Sequence, residues 1–371
     1  MRPDLDAASA KASAGNPASA NATPGKGAIR IGVIGGGAAA EGIHLPALAR
    51  STGVDIAAVV DPVKERTDHL TRRFGVRAGF DDYRDAIPYI DAAILGIPHQ
   101  FHAPVAADLL NAGVHVLVEK PMALTTAECD VMIQASERSG ALLAVGLLRR
   151  FAPTLRWTKE ALTSGLLGPI KSFDIQEGLV FRWPVKSAAM FSPSCGGVTA
   201  DIGAHNIDLM LWWFGDCARF EYWDDAAGGV EADAVLEVEM ASGVTGRIEL
   251  SRTRDLRNTC IIRGEFGTLE VGTKTDSTIC LTPAHGHATL GGRATTPNQE
   301  APRDLADLFA WQMADFVRAI ETRTAPAVPG AEARRSVTLI EACYRRRQPL
   351  VFPFESLLLD VNQLASTAKA S

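Results

Sequence analysis

The sequence predicts a two-domain α/β protein, and three observations support this prediction. The chain of 371 residues is longer than a typical single domain. In its first part, apolar strands alternate with amphipathic helices, which is the pattern of a parallel sheet with helical crossovers. From residue 170 onwards, apolar and polar residues alternate with a period of two between glycine-bearing turns, as in an antiparallel sheet.

The first predicted strand, Ile29–Ile34, runs directly into a turn of glycines and alanines. The turn, GGGAAA at residues 35–40, matches the pattern G-x-G-x-x-A. In this pattern Gly35 permits a tight turn and Gly37 lets the backbone approach a pyrophosphate, while Ala40 allows the helix to pack closely on the strand. The amides at the start of that helix favour an anion. The motif therefore predicts a dinucleotide site in a Rossmann domain.

The second predicted strand, Asp55–Val60, ends at an acid. Asp61 lies about 20 residues beyond the glycine turn, where a carboxylate receives the ribose hydroxyls of a dinucleotide. Such a carboxylate repels a 2′-phosphate and favours NAD, although Lys64 and Arg66 keep NADP possible. Arg66 either lies flat on an adenine ring or is a solvated helix charge.

Further strands and helices extend the same alternation to residue 146. They are the helical segments Val63–Phe74, Asp85–Ile90, Ala103–Asn111 and Thr125–Ser139 and the strands Ala92–Ile97, Val114–Val118 and Leu142–Gly146. Ligands of parallel sheets bind at the carboxyl ends of the strands. Two of these ends carry polar chemistry, namely Ile97-Pro98-His99-Gln100-Phe101-His102 and Glu119-Lys120-Pro121.

Two polar residues near these strand ends have open interpretations. Lys120 is either partly desolvated, with its pKa moved toward neutrality for proton transfer, or it reaches solvent and pairs with Glu119. His44 precedes Pro46, where the first helix is interrupted or restarts. His44 either contacts a ligand or has a local capping or packing role.

The second domain begins near Leu148. Its predicted elements are the helix Phe151–Ser164, the strands Ile170–Phe181, Ala234–Met240, Thr245–Leu250, Thr259–Gly264 and Thr268–Val271, the helices Asp304–Glu321 and Ala331–Arg346, and a possible edge strand Leu350–Phe354. The polar segment Gly272–Arg303 is predicted to be an exposed loop or hairpin.

Between these strands, Gly196-Gly197 leads into a segment with three polar residues at helical spacing. Asp201, His205 and Asp208 fall at i, i+4 and i+7 and would share one helix face. The spacing also fits a metal site, but no third well-placed His or Cys joins it. An aspartate and a histidine can instead form an acid–base pair. Alternatively, Asp201 caps the helix and His205 is a core residue.

Composition excludes several classes of function. The net charge of −6 gives no basic surface for nucleic acid. The six cysteines are scattered without a CxxC pair, which indicates reduced thiols and neither zinc nor a disulfide framework. No stretch is apolar enough to span a membrane, and no export signal is present, so we expect a cytoplasmic protein. The predicted organisation is a disordered extension (1–27), two domains (28–148 and 149–355) and a tail (356–371).

From Ile29 to Phe352 the chain resembles the Gfo/Idh/MocA family, typified by glucose–fructose oxidoreductase and inositol dehydrogenase. The resemblance is carried by the glycine turn with Asp61, by residues 97–102 in place of T-P-N-x-x-H, by Glu119-Lys120-Pro121, and by residues 196–208 as G-G-x-x-x-D-x-G-x-H-x-x-D. It implies a Rossmann domain followed by an α/β domain whose large, mainly antiparallel sheet often forms the oligomer interface. It also implies a homodimer or homotetramer.

The resemblance implies that Lys120, Asp201 and His205 are the catalytic residues. Together, the motifs and the resemblance give the candidate cofactor-binding residues: Gly35, Gly36, Gly37, Ala38, Asp61, Arg66, Ile97, Pro98, His102, Glu119 and Lys120. Two departures from the family pattern bear on nicotinamide and substrate contacts. Ile97 and His99 replace the usual Thr and Asn, and Leu147-Leu148 precede Arg149-Arg150 where a polar residue is common.

We therefore expect an NAD(P)-dependent oxidoreductase that transfers a hydride between nicotinamide and a secondary alcohol or ketone of a sugar, cyclitol or nucleotide sugar. His205 is the first candidate for the general base, with Lys120 stabilising the alkoxide and Asp201 orienting the substrate. Arg182 and Trp183 either bind a sugar or pack internally, and Arg149 and Asn206 are weaker candidates for the pocket. The alternatives are a non-catalytic dinucleotide- or sugar-binding sensor and an NAD-dependent glycoside-cleaving enzyme.

Overall fold

The computed structural model describes residues 27–180, 192, 195–274, 278–286, 288–295 and 302–351. The N-terminal domain contains a six-stranded parallel sheet in the order β3-β2-β1-β4-β5-β6. Its strands are β1 (Ile29–Ile34), β2 (Val54–Val60), β3 (Ala78–Phe80), β4 (Ala92–Leu95), β5 (His115–Val118) and β6 (Leu143–Val145). This order confirms the predicted Rossmann sheet. Because the order reverses between β1 and β4, a crevice opens at their carboxyl ends.

Helices cover both faces of this sheet. They are α1 (Leu45–Arg50), α2 (Lys64–Phe74), α3 (Tyr83–Ala86), α4 (His102–Asn111) and α5 (Thr126–Ser139). A π-helical turn, Ala40–His44, precedes α1, and Pro46 lies in the first turn of α1. The helix therefore restarts at Leu45, and Pro46 lies in its first turn, where a missing N–H is tolerated.

The C-terminal domain is built on a nine-stranded sheet in the order β14-β13-β12-β11-β7-β10-β9-β8-β15. The strands are β7 (Ile170–Gly178), β8 (Cys217–Asp224), β9 (Asp233–Met240), β10 (Thr245–Ser251), β11 (Thr259–Gly264), β12 (Gly267–Gly272), β13 (Ile279–Pro283), β14 (Leu290–Gly292) and β15 (Gln348–Pro349). Only two of the pairings among these strands are parallel, β7 with β10 and β8 with β15. The sheet is therefore mainly antiparallel, as predicted.

In the described residues, four further helices follow β6: α6 (Pro153–Thr163), α7 (Ala204–Phe214), α8 (Leu305–Thr322) and α9 (Gly330–Arg345). A π-helical segment, Thr199–Gly203, leads directly into α7. Helices α6 and α7 pack on the C-terminal sheet. Helix α8 returns to the first domain, and α9 contributes residues to the cores of both domains. Phe316 of α8 is buried against β1 and α1, and Val337 of α9 joins the core around β5.

Two general findings concern the described part of the chain. None of its helices is both long enough and apolar enough to cross a membrane. All six cysteines lie in this part and are free thiols.

Candidate active site

The glycine turn has the geometry that its sequence predicted. Gly35 has a φ of +103°, and a Cβ there would stand 2.3 Å from the carbonyl oxygen of Gly96. Glycine is therefore required, because a side chain would meet the backbone of the neighbouring strand end. The amide of Gly36 donates to Oδ2 of Asp61 at 2.9 Å. The turn and the predicted ribose-binding acid are thus in direct contact.

The space around Gly37 fits a dinucleotide. Apart from its chain neighbours, no heavy atom of the described residues lies within 4 Å of the position that a Cβ of Gly37 would occupy. Ala38, the first helical residue after the turn, is exposed. An open approach to the backbone at the start of a helix is what a pyrophosphate needs. These residues therefore fit the expected cofactor.

Asp61 is buried and is fixed by its neighbours. Its Oδ1 accepts from the amide of Val63 at 2.9 Å. The guanidinium of Arg66 lies 3.4 Å from both carboxylate oxygens, and the Arg66 side chain is 49% exposed. Arg66 is thus a half-exposed partner of Asp61, and its contact with an adenine ring stays a prediction.

Lys120 contacts the second domain. Its ammonium donates to Oδ1 of Asp201 at 2.6 Å and to the Asp201 carbonyl oxygen at 3.1 Å, with the Lys120 side chain 19% exposed. It does not extend into solvent to pair with Glu119. The Glu119 carboxylate instead lies 3.3 Å from Nε2 of His44, which is buried edge-on against Phe309. His44 therefore has a packing role.

Asp201 is held between two cations. Its Oδ2 accepts from Nη2 of Arg252 at 2.6 Å, while Oδ1 is taken by Lys120. Burial alone would raise the pKa of this carboxyl, but the charges and hydrogen bonds of Lys120 and Arg252 lower its pKa well below the usual range. Asp201 lies inside the π-helical segment and makes no capping bond. It is therefore a fixed carboxylate rather than a helix cap.

His205 lies in the first turn of α7. Burial lowers its pKa well below the usual value, and the charges of Lys120 and Arg149 lower it further, with Asp201 opposing them. Its Nδ1 is buried and has no hydrogen-bond partner among the described residues. Both Asp201 oxygens accept from cations, and none of the hydrogen bonds of the described residues joins Asp201 to the His205 ring, so the alternative in which the carboxylate orients the imidazole directly is not formed. His205 is a neutral imidazole that Asp201 influences through its charge.

Asp208, the third polar residue at helical spacing, does not join this cluster. It is buried in a bidentate ion pair with Arg150, with Oδ1 at 2.6 Å from Nη2 and Oδ2 at 2.9 Å from Nε. In the described part of the chain, no group of three His, Cys, Asp or Glu side chains is placed to hold a metal ion.

Arg149 and Asn206, two candidates for substrate contact, form a buried network with Glu177. Arg149 donates to both Glu177 oxygens, at 2.6 and 2.7 Å, and to Oδ1 of Asn206 at 3.2 Å. Asn206 donates to Glu177 at 2.9 Å. Because they bond to one another, we assign Arg149 and Asn206 a positioning role behind His205, and their contact with substrate stays a prediction. Arg182 and Trp183 lie outside the described residues.

His102 connects two loops of the cofactor crevice. Its Nδ1 lies 2.9 Å from the carbonyl oxygen of Pro121, and its Nε2 lies 2.9 Å from that of Ile97. The ring is fully buried. It therefore holds the Ile97-Pro98 turn against the loop that follows Lys120, which makes it a positioning residue rather than one that reaches the cofactor directly.

Four polar residues at the site were missed by sequence reasoning: Glu177, Glu231, Arg252 and Tyr344. Glu231 accepts from the amides of Gly197 and Thr199, at 3.0 and 3.1 Å, and from the hydroxyl of Tyr344 at 2.7 Å. It thereby fixes the start of the segment that carries Asp201. Arg252 could have been noticed because it directly follows the end of β10, whereas nothing local distinguishes Glu231.

Two relatives with named activities match most of the chain. The myo-inositol 2-dehydrogenase of Thermotoga maritima is 25% identical over 326 residues, which cover 84% of this chain and 94% of that protein. The D-glucoside 3-dehydrogenase of Escherichia coli is 25% identical over 303 residues, which cover 75% of this chain and 83% of that protein.

Solved structures share the fold. The aldose-aldose oxidoreductase from Caulobacter crescentus, complexed with glycerol, gives a TM-score of 0.78 at 22% identity and covers 86% of this chain and 97% of its own. A levoglucosan dehydrogenase in complex with NADH and levoglucosan gives 0.77 at 20% identity and covers 86% of this chain and 96% of its own.

Two family models together match most of the chain. The model described as oxidoreductase family, NAD-binding Rossmann fold, matches residues 29–147, and the model of the C-terminal α/β domain of the same family matches residues 159–350. The chain therefore belongs to the Gfo/Idh/MocA family of oxidoreductases, with an N-terminal NAD-binding Rossmann domain.

Proposed function

We propose that this oxidoreductase interconverts a secondary alcohol and a ketone on a sugar or cyclitol. The observation that supports this most directly is the 2.6 Å contact between Lys120 and Asp201. It brings an ammonium from the nucleotide-binding domain and a carboxylate from the other domain together at the crevice. The neutral ring of His205 lies close enough for the charges of both groups to act on it.

Gly35, Gly36, Gly37 and Asp61 would hold the dinucleotide, because the turn is open at Gly37 and Asp61 lies directly behind it. Bound NAD supplies the hydride acceptor for oxidation, or NADH the donor for reduction. We assign Glu119 and the Ile97-Pro98 turn to the nicotinamide end. His102 holds that turn in place through two backbone carbonyl contacts.

His205 takes the proton of the alcohol, and Lys120 stabilises the resulting alkoxide. A histidine with a lowered pKa is a weak base, so it takes a proton from an alcohol only when a nearby cation stabilises the alkoxide. The ammonium of Lys120 supplies that stabilisation by donating a hydrogen bond to the hydroxyl oxygen. Asp201, itself fixed by Arg252, keeps Lys120 in position. In the reverse direction the same groups return the proton to the ketone oxygen.

The test uses the full-length protein, NAD⁺ and a panel of polyols: myo-inositol, scyllo-inositol, methyl β-D-glucoside and levoglucosan. NADH formation is followed by absorbance for the wild type, for Lys120→Ala and for the control Lys171→Ala, whose side chain is exposed on β7. We expect Lys120→Ala to lose about 10²–10⁴-fold in kcat while binding NADH almost normally. The control should match the wild type.

Three outcomes would contradict the proposal in different ways. Undiminished turnover by Lys120→Ala removes Lys120 from the mechanism. Binding of NADH without turnover of any panel compound favours the sensor. Cleavage of the glucoside without net NADH formation favours the glycoside-cleaving enzyme, which product analysis detects.

A further inference from the structure

Arg66 lies at the end of the dinucleotide site that receives the adenosine ribose. It belongs to the first turn of α2, and its Nη1 lies 3.4 Å from both carboxylate oxygens of Asp61. An acid in the position of Asp61 receives the ribose hydroxyls, and the 2′-hydroxyl is the one that carries the additional phosphate in NADP. A guanidinium in contact with the same carboxylate is therefore within reach of a 2′-phosphate.

Asp61 is held in place without Arg66. Its Oδ2 accepts from the amide of Gly36 and its Oδ1 from the amide of Val63, both at 2.9 Å. These are ordinary lengths for N–H···O bonds, whereas 3.4 Å is longer than the usual range. The Asp61 side chain is 6% exposed and the Arg66 side chain 49%. So long an ion pair with a half-exposed guanidinium contributes little to stability, and Arg66 can exchange the carboxylate for another anion at small cost.

The positive charge of Arg66 also changes what a 2′-phosphate meets at this position. A carboxylate alone repels the phosphate and excludes NADP. Here the guanidinium stands against both oxygens of Asp61, so the phosphate would meet a carboxylate and a cation together. A guanidinium binds phosphate through two parallel N–H bonds. The neighbouring Lys64 is bonded to Asp68 at 2.9 Å, so we assign this role to Arg66.

We propose that Arg66 determines the cofactor specificity of this protein and admits NADP in addition to NAD. With NAD, the ribose hydroxyls bond to Asp61 and Arg66 keeps its ion pair. With NADP, the guanidinium turns from Asp61 to the 2′-phosphate, while the amides of Gly36 and Val63 hold the carboxylate in place. The inference concerns the cofactor and does not depend on which alcohol is the substrate.

The experiment measures binding of NADH and NADPH by fluorescence titration of the wild type, Arg66→Ala and Arg72→Ala. Arg72 is an exposed arginine in the last turn of α2, so this control removes the same charge from the same helix. We expect the wild type to bind NADPH within about tenfold of its affinity for NADH. Arg66→Ala should bind NADPH about 10–100-fold more weakly than the wild type and NADH almost normally, because only the bond to phosphate is lost. Arg72→Ala should match the wild type with both cofactors.

A second measurement isolates the 2′-phosphate. Adenosine 2′,5′-bisphosphate and adenosine 5′-monophosphate differ only in that group, and each is titrated as a competitor of bound NADH. The bisphosphate should compete at least as well as the monophosphate with the wild type and with Arg72→Ala. With Arg66→Ala it should compete less well than the monophosphate, since the charge of Asp61 is then uncompensated. Weaker competition by the bisphosphate with the wild type would overturn the inference.

Three further results would also overturn it. Binding of NADPH by the wild type more than about tenfold more weakly than NADH would mean that Asp61 excludes the phosphate despite Arg66. Equal losses of NADH and NADPH binding in Arg66→Ala would mean that Arg66 only holds Asp61 in place. Equal losses of NADPH binding in Arg66→Ala and Arg72→Ala would mean that only the overall charge of α2 matters. None of these titrations requires turnover, so their outcome is separate from that of the polyol test.

Discussion

Burial, helped by the positive charge of Lys120, explains why the imidazoles of His205 and His99 are neutral. Lys120 and Arg252 both bond to Asp201, and their positive charges stabilise its buried carboxylate. In the same region, burial lowers the pKa of both His205 and His99, so neither ring carries a charge at physiological pH. The site therefore combines a fixed ammonium, which can stabilise an alkoxide, with a neutral imidazole, His205, which can accept the proton of the alcohol.

His99 should make the stability of the protein sensitive to acid. Its pKa in the folded protein is about 4, below the value of 6.5 expected in the unfolded chain. As the pH falls below 6.5, the unfolded chain binds a proton that the folded protein does not, so the folded state loses stability until the pH falls below 4. Between about pH 7.5 and pH 5, this difference amounts to about 2 kcal/mol of the free energy of unfolding.

The measurement is urea unfolding of the wild type, His99→Asn and His99→Gln at both pH values. Neither variant has a titrating group at this position, so each should lose about 2 kcal/mol less than the wild type on acidification, whatever its own stability. An equal loss in all three proteins would mean that His99 does not have a lowered pKa.

Local spacing predicted which side chains matter but not how they pair. The strand-end position of Lys120 and the i, i+4 spacing of Asp201 and His205 follow from periodicity and topology. The partner of Lys120 is 81 residues away, so the sequence left pairing with Glu119 open. An acid–base pair of Asp201 and His205 was one of the alternatives, but the two oxygens of Asp201 bond to Lys120 and Arg252.

Among the secondary-structure elements, the segment that carries Asp201 and His205 depends on how it begins. A Cβ on Gly197 would stand 2.2 Å from the carbonyl oxygen of Glu231, so only glycine lets the two backbones approach this closely. The Glu231 carboxylate then bonds the amides of Gly197 and Thr199, which is where helical amides lack partners. Tyr344 of α9 donates to the same oxygen of Glu231.

Removal of the Glu231 carboxylate, which holds the start of the segment that carries Asp201, should reduce both stability and turnover. In Glu231→Ala the Thr199 amide and the Tyr344 hydroxyl lose their acceptor, and the Gly197 amide keeps only its 3.3 Å bond to the Tyr344 hydroxyl, which we expect to lower the free energy of unfolding by about 1–3 kcal/mol. Because the anchored segment carries Asp201, kcat should fall as well. Glu231→Gln retains an oxygen at this position and should lie between Glu231→Ala and the wild type. Urea unfolding and NADH formation provide the two measurements.

A matched control is Glu239→Ala, which removes an exposed carboxylate from β9, a strand of the same sheet. It should change the free energy of unfolding by less than about 0.5 kcal/mol. If Glu231→Ala were as stable and as active as Glu239→Ala, the anchoring role of Glu231 would be wrong.

Two features of these elements could not be predicted from local patterns. Strand β8 was missed because its residues are mostly partly exposed and give no clear apolar alternation. The π-helical segment Thr199–Gly203 was read as ordinary helix, since a change from i→i+4 to i→i+5 bonding leaves no mark in residue periodicity over five residues. The strands β7, β9, β10, β11 and β12 were predicted because they alternate strongly. Strands β13 and β14 lie in the segment Gly272–Arg303, which was predicted to be an exposed loop or hairpin, and β15 ends just before the predicted edge strand Leu350–Phe354.

In the whole molecule, the chain folds back so that its last helices complete the core of its first domain. Met313 and Phe316 of α8 pack with residues of β1 and α1, and Ala333 and Val337 of α9 lie in the core around β5. The sequence predicted both helices, with Asp304–Glu321 as amphipathic, but gave no indication of which sheet they cover. Periodicity shows that a face is buried, not what covers it.

Because α8 folds back onto the first domain, we expect the protein to unfold as one cooperative unit. Phe316 is 1% exposed on α8, and Phe316→Ala should lower the free energy of unfolding by about 3–5 kcal/mol through loss of buried surface and creation of a cavity. Because α8 belongs to the C-terminal part of the chain but packs on β1, we expect strands of both sheets to unfold at the same urea concentration in the wild type and at the same lower concentration in the variant.

Pulsed hydrogen exchange on peptides from β4 and β9 measures the two sheets separately, and saturating NADH should raise both midpoints together. Glu321→Ala, an exposed position on the same helix, is the control and should leave both midpoints nearly unchanged. If the peptides of β4 lost protection at a lower urea concentration than those of β9, or if NADH raised the midpoint of β4 alone, the two domains would be independent despite the packing of α8.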